Sequence, residues 1–233
     1  MEILKLTYNV PPSKGRRFAI GDVHGCFRSL MALLNTINAT ETDQLFFLGD
    51  MLDRGNYSEL VLDYLINGSR LYQNIFCLRG NHEQFVLNLK QELPDDKIKV
   101  FIAKNNLQFM FDNEVNIKPQ YFEFLNNLPF FLELDDYYLV HAGFNFEGDP
   151  FVDTVSMLTM RNFNPNPAKL KNKRCIIGHT PTDLKSILKS VKQKDTVINI
   201  DNGCVFGDKF PNRGNLVCID LDTNQVYYQK NID

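Results

Sequence analysis

The chain has no tryptophan, only four histidines, and no apolar run near the ~20 residues that a bilayer-spanning helix needs. The missing span predicts no membrane partner. The first ten residues, Met1 to Val10, lack the long apolar core of a secretory signal and meet Pro11-Pro12 at once. A cytoplasmic location is therefore expected. The five cysteines (Cys26, Cys77, Cys175, Cys204, Cys218) are odd in number, scattered, and form no CxxC pair. That spacing argues against a disulfide framework or a cysteine zinc site, and it predicts reduced, buried thiols. A net charge of -3 carries no global bias toward nucleic acid or an anionic surface, so no nucleic-acid partner is expected. Internal repeats, low-complexity tracts and long linkers are also absent. What remains, 233 residues with an ordinary apolar share of 44%, fits one domain with a sizeable core.

The scarce histidines are not scattered. His24, His82, His141 and His179 each lie beside a glycine-containing polar tetrad that follows an apolar run. Phe18-Ala19-Ile20 ends at Gly21-Asp22-Val23-His24-Gly25. Leu30, Leu33, Leu34 and Ile37 then recur at helical spacing. Leu45-Phe46-Phe47-Leu48 ends at Gly49-Asp50-Met51-Leu52-Asp53-Arg54-Gly55. A helix marked by Leu60, Val61, Tyr64 and Leu65 follows, expected to close at Asn67-Gly68. Ile75-Phe76-Cys77-Leu78 ends at Arg79-Gly80-Asn81-His82-Glu83, before a helix through Phe85, Val86 and Leu89. Strand, motif and helix in triplicate predict βαβ units and a largely parallel sheet.

The segment from about 92 to 127 differs. It has no glycine and a helical pattern, and it is expected to form a helical insertion over or beside the site. Apolar runs around Asp135-Asp136 predict a tight hairpin whose second strand leads into His141-Ala142-Gly143. Further runs lead into Gly178-His179-Thr180 and Asp201-Asn202-Gly203, and a closing hairpin turns at 222–224. The second half thus reads as richer in antiparallel strands. The fold class expected is α/β, a two-sheet mixed β-sandwich flanked by helices.

Buried strands cannot carry unpaired charge, so these polar motifs must sit in the loops at the strand ends. There they gather Asp22, His24, Asp50, Asn81, His82, His141 and His179. Carboxylate oxygens and neutral imidazoles suit first-row divalent metals. Asp50, with two oxygens, can bridge two ions, and Asn81 can add an amide oxygen. Two metals about 3.5–4 Å apart clamp an in-line displacement at phosphorus. His82 is free for proton transfer, and Arg54 can fork onto phosphate oxygens.

Blander readings stand beside these. Singly, His24, His141 and His179 read as hydrogen-bonded loop residues; only their company with Asp22, Asp50 and Asn81 makes a metal centre. Gly21, Gly49 and Gly80 read as turn residues with positive φ. Asp53 and Arg54 can be a loop ion pair of little stability. Arg79 reads as solvated, Glu83 as a helix cap, and the lysine-rich stretch 169–194 as mostly a solvated face.

The ordered set GDVHG (21–25), GDMLDRG (49–55), GNHE (80–83), HAG (141–143) and GHT (178–180) resembles the motif series of the metallophosphoesterase superfamily. Its spelling is similar to the phosphoprotein phosphatase branch, the serine/threonine protein phosphatases, in their compact bacterial and phage form. The resemblance implies a calcineurin-like fold over a single catalytic domain, residues 1–233. It implies two divalent metal ions, Mn²⁺ first and Fe or Zn as alternatives. Asp22, His24 and Asp50 are then expected to hold one ion, and Asp50, Asn81, His141 and His179 the other. His82 is implied as general acid, with Asp53 keeping it protonated. Arg54, Arg161 and Asn81 are implied at the substrate. Arg161 is placed only by Met160-Arg161-Asn162, because the tryptophan common beside that arginine is missing here. Asp201 is expected to be structural. The activity implied is phosphomonoester hydrolysis by in-line attack of a metal-bridging hydroxide, with phosphoserine and phosphothreonine of proteins as substrates. The alternative is a bis(5'-nucleosyl)-tetraphosphatase acting on dinucleoside polyphosphates. Symmetrical-type members of that group commonly differ at the position of Asp53 and read GNHD, so Asp53 and Glu83 favour the protein phosphatase side. A phosphoprotein or a small phosphorylated molecule is the expected partner.

Overall fold

A computed structural model describes residues 6–72 and 74–233; the very start of the Met1–Val10 stretch lies outside the described residues. Among the described residues the apolar runs form nine short strands, and the helically spaced segments form helices between them. In chain order these are β1 (Arg17–Ile20), α1 (Phe27–Thr36), β2 (Gln44–Phe47), α2 (Ser58–Tyr72), β3 (Ile75–Cys77), α3 (Asn81–Glu92), α4 (Asp95–Lys104) and α5 (Pro119–Asn126). They continue with β4 (Phe131–Glu133), β5 (Tyr137–Val140), α6 (Thr154–Thr159), β6 (Arg174–Ile177), α7 (Leu184–Gln193), β7 (Val197–Asn199), β8 (Asn215–Asp220) and β9 (Val226–Lys230).

The strands make two mixed sheets, ordered β3-β2-β1-β8-β9 and β4-β5-β6-β7. Period-two alternation decides which side chains go where. Ala19, Phe46, Phe76, Val217 and Ile219 face Leu132, Leu139, Ile176 and Ile198 between the sheets. Their neighbours Phe18, Ile20, Leu45, Phe47 and Cys77 turn outward onto the helical layer of α1–α3. Phe131, Tyr138, Val140 and Cys175 of the second sheet pack outward against Phe144, Met157 and Leu158. All five cysteines are buried and unbridged, as expected for reduced thiols. No helix among the described residues is long and apolar enough to cross a membrane.

β1, β2 and β3 are parallel, as the triplicate motif predicts. The second half is richer in antiparallel pairs, as expected: β4 with β5, β8 with β9, and β8 with β1. β4 and β5 form the tight hairpin, Leu134 N–H donating to Tyr137 O across Asp135-Asp136, yet β5, β6 and β7 are parallel to one another. Long excursions carrying α6 and α7 between these strands permit the crossovers that parallel pairing needs. The closing hairpin, β8–β9, joins the first sheet, antiparallel to β1. Each sheet therefore sends three parallel strand ends toward one rim.

Three local expectations change. α2 does not close at Asn67-Gly68 but runs on to Tyr72. A Cβ at Gly68 would lie 2.4 Å from Ile75 Cδ1, so this glycine lets the helix lie against β3 rather than ending it. Arg79 is not solvated. It is buried, stacks over Phe130, and donates to Leu125 O, Asn126 O and Gln84 Oε1, pinning the end of the 92–127 segment to the loop after β3. Of the motif glycines, Gly49 has positive φ (99°), but Gly21 and Gly80 do not. Those two serve close approach instead: an added Cβ would lie 2.6 Å from Ile200 O at Gly21 and 2.2 Å from Asp50 Oδ1 at Gly80.

Candidate metal centre

The left-handed conformations expected of glycines fall on the polar residues themselves. His24, Asp50, Asp53, Arg54 and His179 all have φ between 44° and 70°. Non-glycine residues held there cost about 1–3 kcal/mol each, so the surrounding hydrogen bonds must impose them. They do. Val23 N–H and His24 N–H both donate to Asp50 O (3.2 and 2.8 Å), and Gly25 N–H to Met51 O (2.9 Å). Glu83, fully buried, accepts from Asp50 N–H and Gly80 N–H at Oε2 (2.8 and 2.9 Å) and from Met51 N–H at Oε1 (2.8 Å). The expected helix cap is thus also the brace of the Asp50 turn. Its place in GNHE was visible in the sequence, but its reach across to the neighbouring loop was not.

Two clusters of ligand atoms share Asp50. Asp22, His24 and Asp50 form one, and Asp50, His141 and His179 the other, with the ligand atoms in each within 4.8 Å of one another. His24 Nε2 is 3.5 Å from Asp50 Oδ2, while His141 Nε2 is 3.4 Å from Oδ1, so the two carboxylate oxygens face different clusters. Asn81 Oδ1 completes the second, 3.0 Å from His141 Nε2 and 2.9 Å from His179 Nδ1. His141 bridges the sheets: its Nδ1–H donates to Leu48 O at the end of β2 (2.8 Å). A ring fixed this way presents Nε2 to a cation.

A third grouping, His24, Asp53 and His82, is a hydrogen-bond relay rather than an ion site. Asp53 takes His24 Nδ1–H on Oδ1 (3.1 Å) and His82 Nδ1–H on Oδ2. The sequence reading gave Asp53 to His82 alone; the structure gives it both rings. Arg54 donates to His24 Nε2 (3.0 Å) and His82 Nε2 (2.8 Å). Arg161 is exposed on the turn after α6 and makes no hydrogen bond to the cluster, but its charge reaches His179. Asp201 is buried beside Asp22, where it accepts from Gly203 N–H (2.7 Å).

The electrostatics call for cations. Burial, then the Asp201 charge, pushes the Asp22 carboxyl well above the usual range. Burial also raises Asp201 and Glu83. Burial alone would lower His141, but the Asp50 charge and hydrogen bond outweigh it and push the ring up to about 10. Its Nε2 faces two oxygens, as an imidazolium does. At His24, burial opposes the Asp53 hydrogen bond and the Asp50 charge, which push it up to about 9. The guanidinium 3.0 Å from Nε2 needs a lone pair there, so His24 is neutral while Arg54 rests on it. Burial and the His141 charge lower His179 to about 4, leaving it a neutral donor ring. Crowded, buried carboxylates facing imidazole nitrogens fit a pair of divalent ions, whose charge removes this repulsion.

The sequence pattern of the calcineurin-like phosphoesterase family matches residues 16–215. A bis(5'-nucleosyl)-tetraphosphatase of the asymmetrical type from Anoxybacillus flavithermus is 27% identical over 228 residues, covering 81% of this chain and 85% of that protein. A symmetrical bis(5'-nucleosyl)-tetraphosphatase from Vibrio parahaemolyticus is 28% identical over 138 residues, covering 57% of this chain and 46% of the relative. Among solved structures, a serine/threonine phosphatase from Saccharomyces cerevisiae superposes with a TM-score of 0.63 at 16% identity, covering 99% of this chain and 84% of that one. That likeness is one of fold.

Proposed function

Because the chain belongs to the calcineurin-like phosphoesterase family, we propose that it is a two-metal phosphomonoesterase acting on phosphoserine and phosphothreonine in proteins. The observation that carries this reading is the buried Asp53 accepting Nδ1–H of the part-exposed His82, whose Nε2 is released when Arg54 turns from it to a phosphate. Such a pair makes a proton donor. A serine or threonine alkoxide is a poor leaving group and needs that proton; a nucleotide leaving from an anhydride does not.

Asp22, His24 and Asp50 would hold one ion, and Asp50, Asn81, His141 and His179 the other. When bound, the ions supply Lewis acidity and an acidified water for attack at phosphorus. The chain does the rest. Arg54 moves its fork from the two imidazoles to the phosphoryl oxygens, and Arg161, whose charge reaches His179, adds a second guanidinium for them. With Arg54 moved away, His82 Nε2 is the atom that would carry the proton to the departing oxygen, and Asp53, accepting Nδ1–H, orients the ring for it.

Dinucleoside tetraphosphate hydrolysis is the second reading, supported by the names of the two curated relatives. Asp53 bears on the choice only through His82, and Glu83 only through the loop it braces. Asp53 is buried between two imidazoles, and both oxygens of Glu83 are taken by main-chain N–H groups, so neither faces substrate. A comparison of kcat/KM for a phosphopeptide and for diadenosine tetraphosphate, both with Mn²⁺, tests the choice. The phosphopeptide is expected to win, and His82→Asn to cost about 10²–10⁴-fold on it and far less on the anhydride. A preference for the dinucleotide, with both substrates equally sensitive to His82→Asn, overturns the first reading.

A further inference from the structure

Arg161 stands on an unusual support. Among the described residues, the main chain of 161–165 makes no hydrogen bond. The segment is bracketed instead. On one side, Met157 O accepts from Ala142 N–H (2.8 Å), tying α6 to the turn that follows His141. On the other, the half-buried Phe163 ring sits on Gly143 of that same turn. A Cβ at Gly143 would lie 2.9 Å from Phe163 Cγ and 3.1 Å from Phe163 Cβ. Phe146 stacks on the other side of Phe163 (5.9 Å between centroids, 25°), and Phe144 meets its edge at 6.2 Å.

We infer that Phe163 is a positioning residue for Arg161: its ring, seated on Gly143 and backed by Phe146, holds an otherwise unbonded segment so that the guanidinium faces the phosphoryl group. This rests on the reading that Arg161 binds that group. The physical reason is entropic. A long exposed side chain on an unbonded segment samples many directions, and a single packed ring nearby removes most of them. The turn that seats Phe163 also carries His141, so the arginine is registered to the metal centre and not merely to the surface.

The experiment uses the full chain loaded with Mn²⁺ and four variants: Phe163→Ala, Phe163→Leu, Arg161→Ala, and Phe163→Ala with Arg161→Ala. KM and kcat for an aryl phosphate, Ki for inorganic phosphate, and the Mn²⁺ concentration that gives half the thermal stabilisation are measured. Phe163→Ala is expected to raise KM and Ki about tenfold, an effect of displacement alone. Phe163→Leu should raise them less, and the Mn²⁺ midpoint should not move. In the Arg161→Ala background, Phe163→Ala should add nothing, because the group it positions is gone. If Phe163→Ala does not fold, Phe163→Leu and its combination with Arg161→Ala carry the same comparison. Additive losses, a shifted Mn²⁺ midpoint, or a Ki unmoved by the Phe163 variants while Arg161→Ala raises it overturn the inference. A Ki unmoved by Arg161→Ala itself overturns the role of Arg161, so the two failures differ in which single variant is silent.

Discussion

Asp43 and Asp50 flank the same strand, β2, and are buried alike, at 3% and 2% exposure. Their partners could hardly differ more. Asp43, at the amino end, accepts from Arg16 N–H, Nε and Nη2 and from Thr40 N–H, with the guanidinium 2.7 Å away. Burial would raise it, but these bonds hold it down at about 2. Asp50, at the carboxyl end, has imidazoles and other carboxylates around it, with Asp22 and Asp201 close by. One end of the strand carries its own counter-charge. The other gives Asp50 only titratable imidazoles, which hold it below the usual carboxylate range against its burial, and crowds the further buried carboxyls of Asp22 and Asp201 beside them. The difference separates a carboxylate that serves stability from carboxylates that serve function at stability's expense.

The sharpest way to break this comparison is to neutralise one carboxylate at each end. Asp22→Asn is expected to cost a hundredfold or more in kcat/KM, on the order of what lost metal support costs. It should also abolish the thermal stabilisation by Mn²⁺, yet raise the melting temperature of the metal-free protein, because a repelled buried anion is gone. Asp43→Asn is expected to do the reverse: lower the melting temperature with or without Mn²⁺ and leave kcat/KM within about twofold. Melting curves and kinetics of both variants check this. A metal-free Asp22→Asn protein less stable than the parent removes the distinction.

A second test reads the carboxyl end through protons. His141 carries a proton up to about pH 10 in the metal-free protein, held by Asp50. A cation at Nε2 must displace it. The apparent Mn²⁺ affinity should therefore rise with pH across the neutral range, by about tenfold per unit for each proton released, and flatten only near the folded pKa. Chelator competition between pH 6.5 and 8.5 measures the slope. An affinity independent of pH in that window means that His141 is already neutral, and that the carboxyl end is less anion-rich than its geometry indicates.

The same contrast shows how much was legible beforehand. The strand ends, the parallel β1–β3 half of the first sheet and the gathering of Asp22, His24, Asp50, Asn81, His82, His141 and His179 follow from apolar runs meeting polar motifs, because buried strands expel charge. Residues that act through contacts distant in sequence were not legible. Glu83 read as a cap because only its own helix is local; its bonds to Asp50 and Met51 cross between loops. Arg79 read as solvated because nothing nearby shows that Leu125 O and Asn126 O would meet it. Asp43, the residue that most resembles Asp50 in setting, carried no motif at all; its partner Arg16 lies on the far side of α1 in the chain.

The smallest expected effect tests the amino end alone. The folded pKa of Asp43 is depressed to about 2, against an unfolded value of about 3.9. A depressed carboxyl contributes stability that is present above the unfolded pKa and lost as pH falls toward the folded one. Unscreened, that shift would correspond to about 2.5 kcal/mol. The Arg16 side chain is 40% exposed, so solvent screening reduces it to about 1–2 kcal/mol. The parent should thus exceed Asp43→Asn by a few degrees in melting temperature at pH 6, and the gap should narrow between about pH 4 and pH 2. Measured on metal-free protein, this leaves the ions out of the comparison. A gap that stays constant down to pH 2.5 means that Asp43 is held by hydrogen bonds indifferent to its charge. The internal ion pair would then not be what distinguishes the two ends of β2.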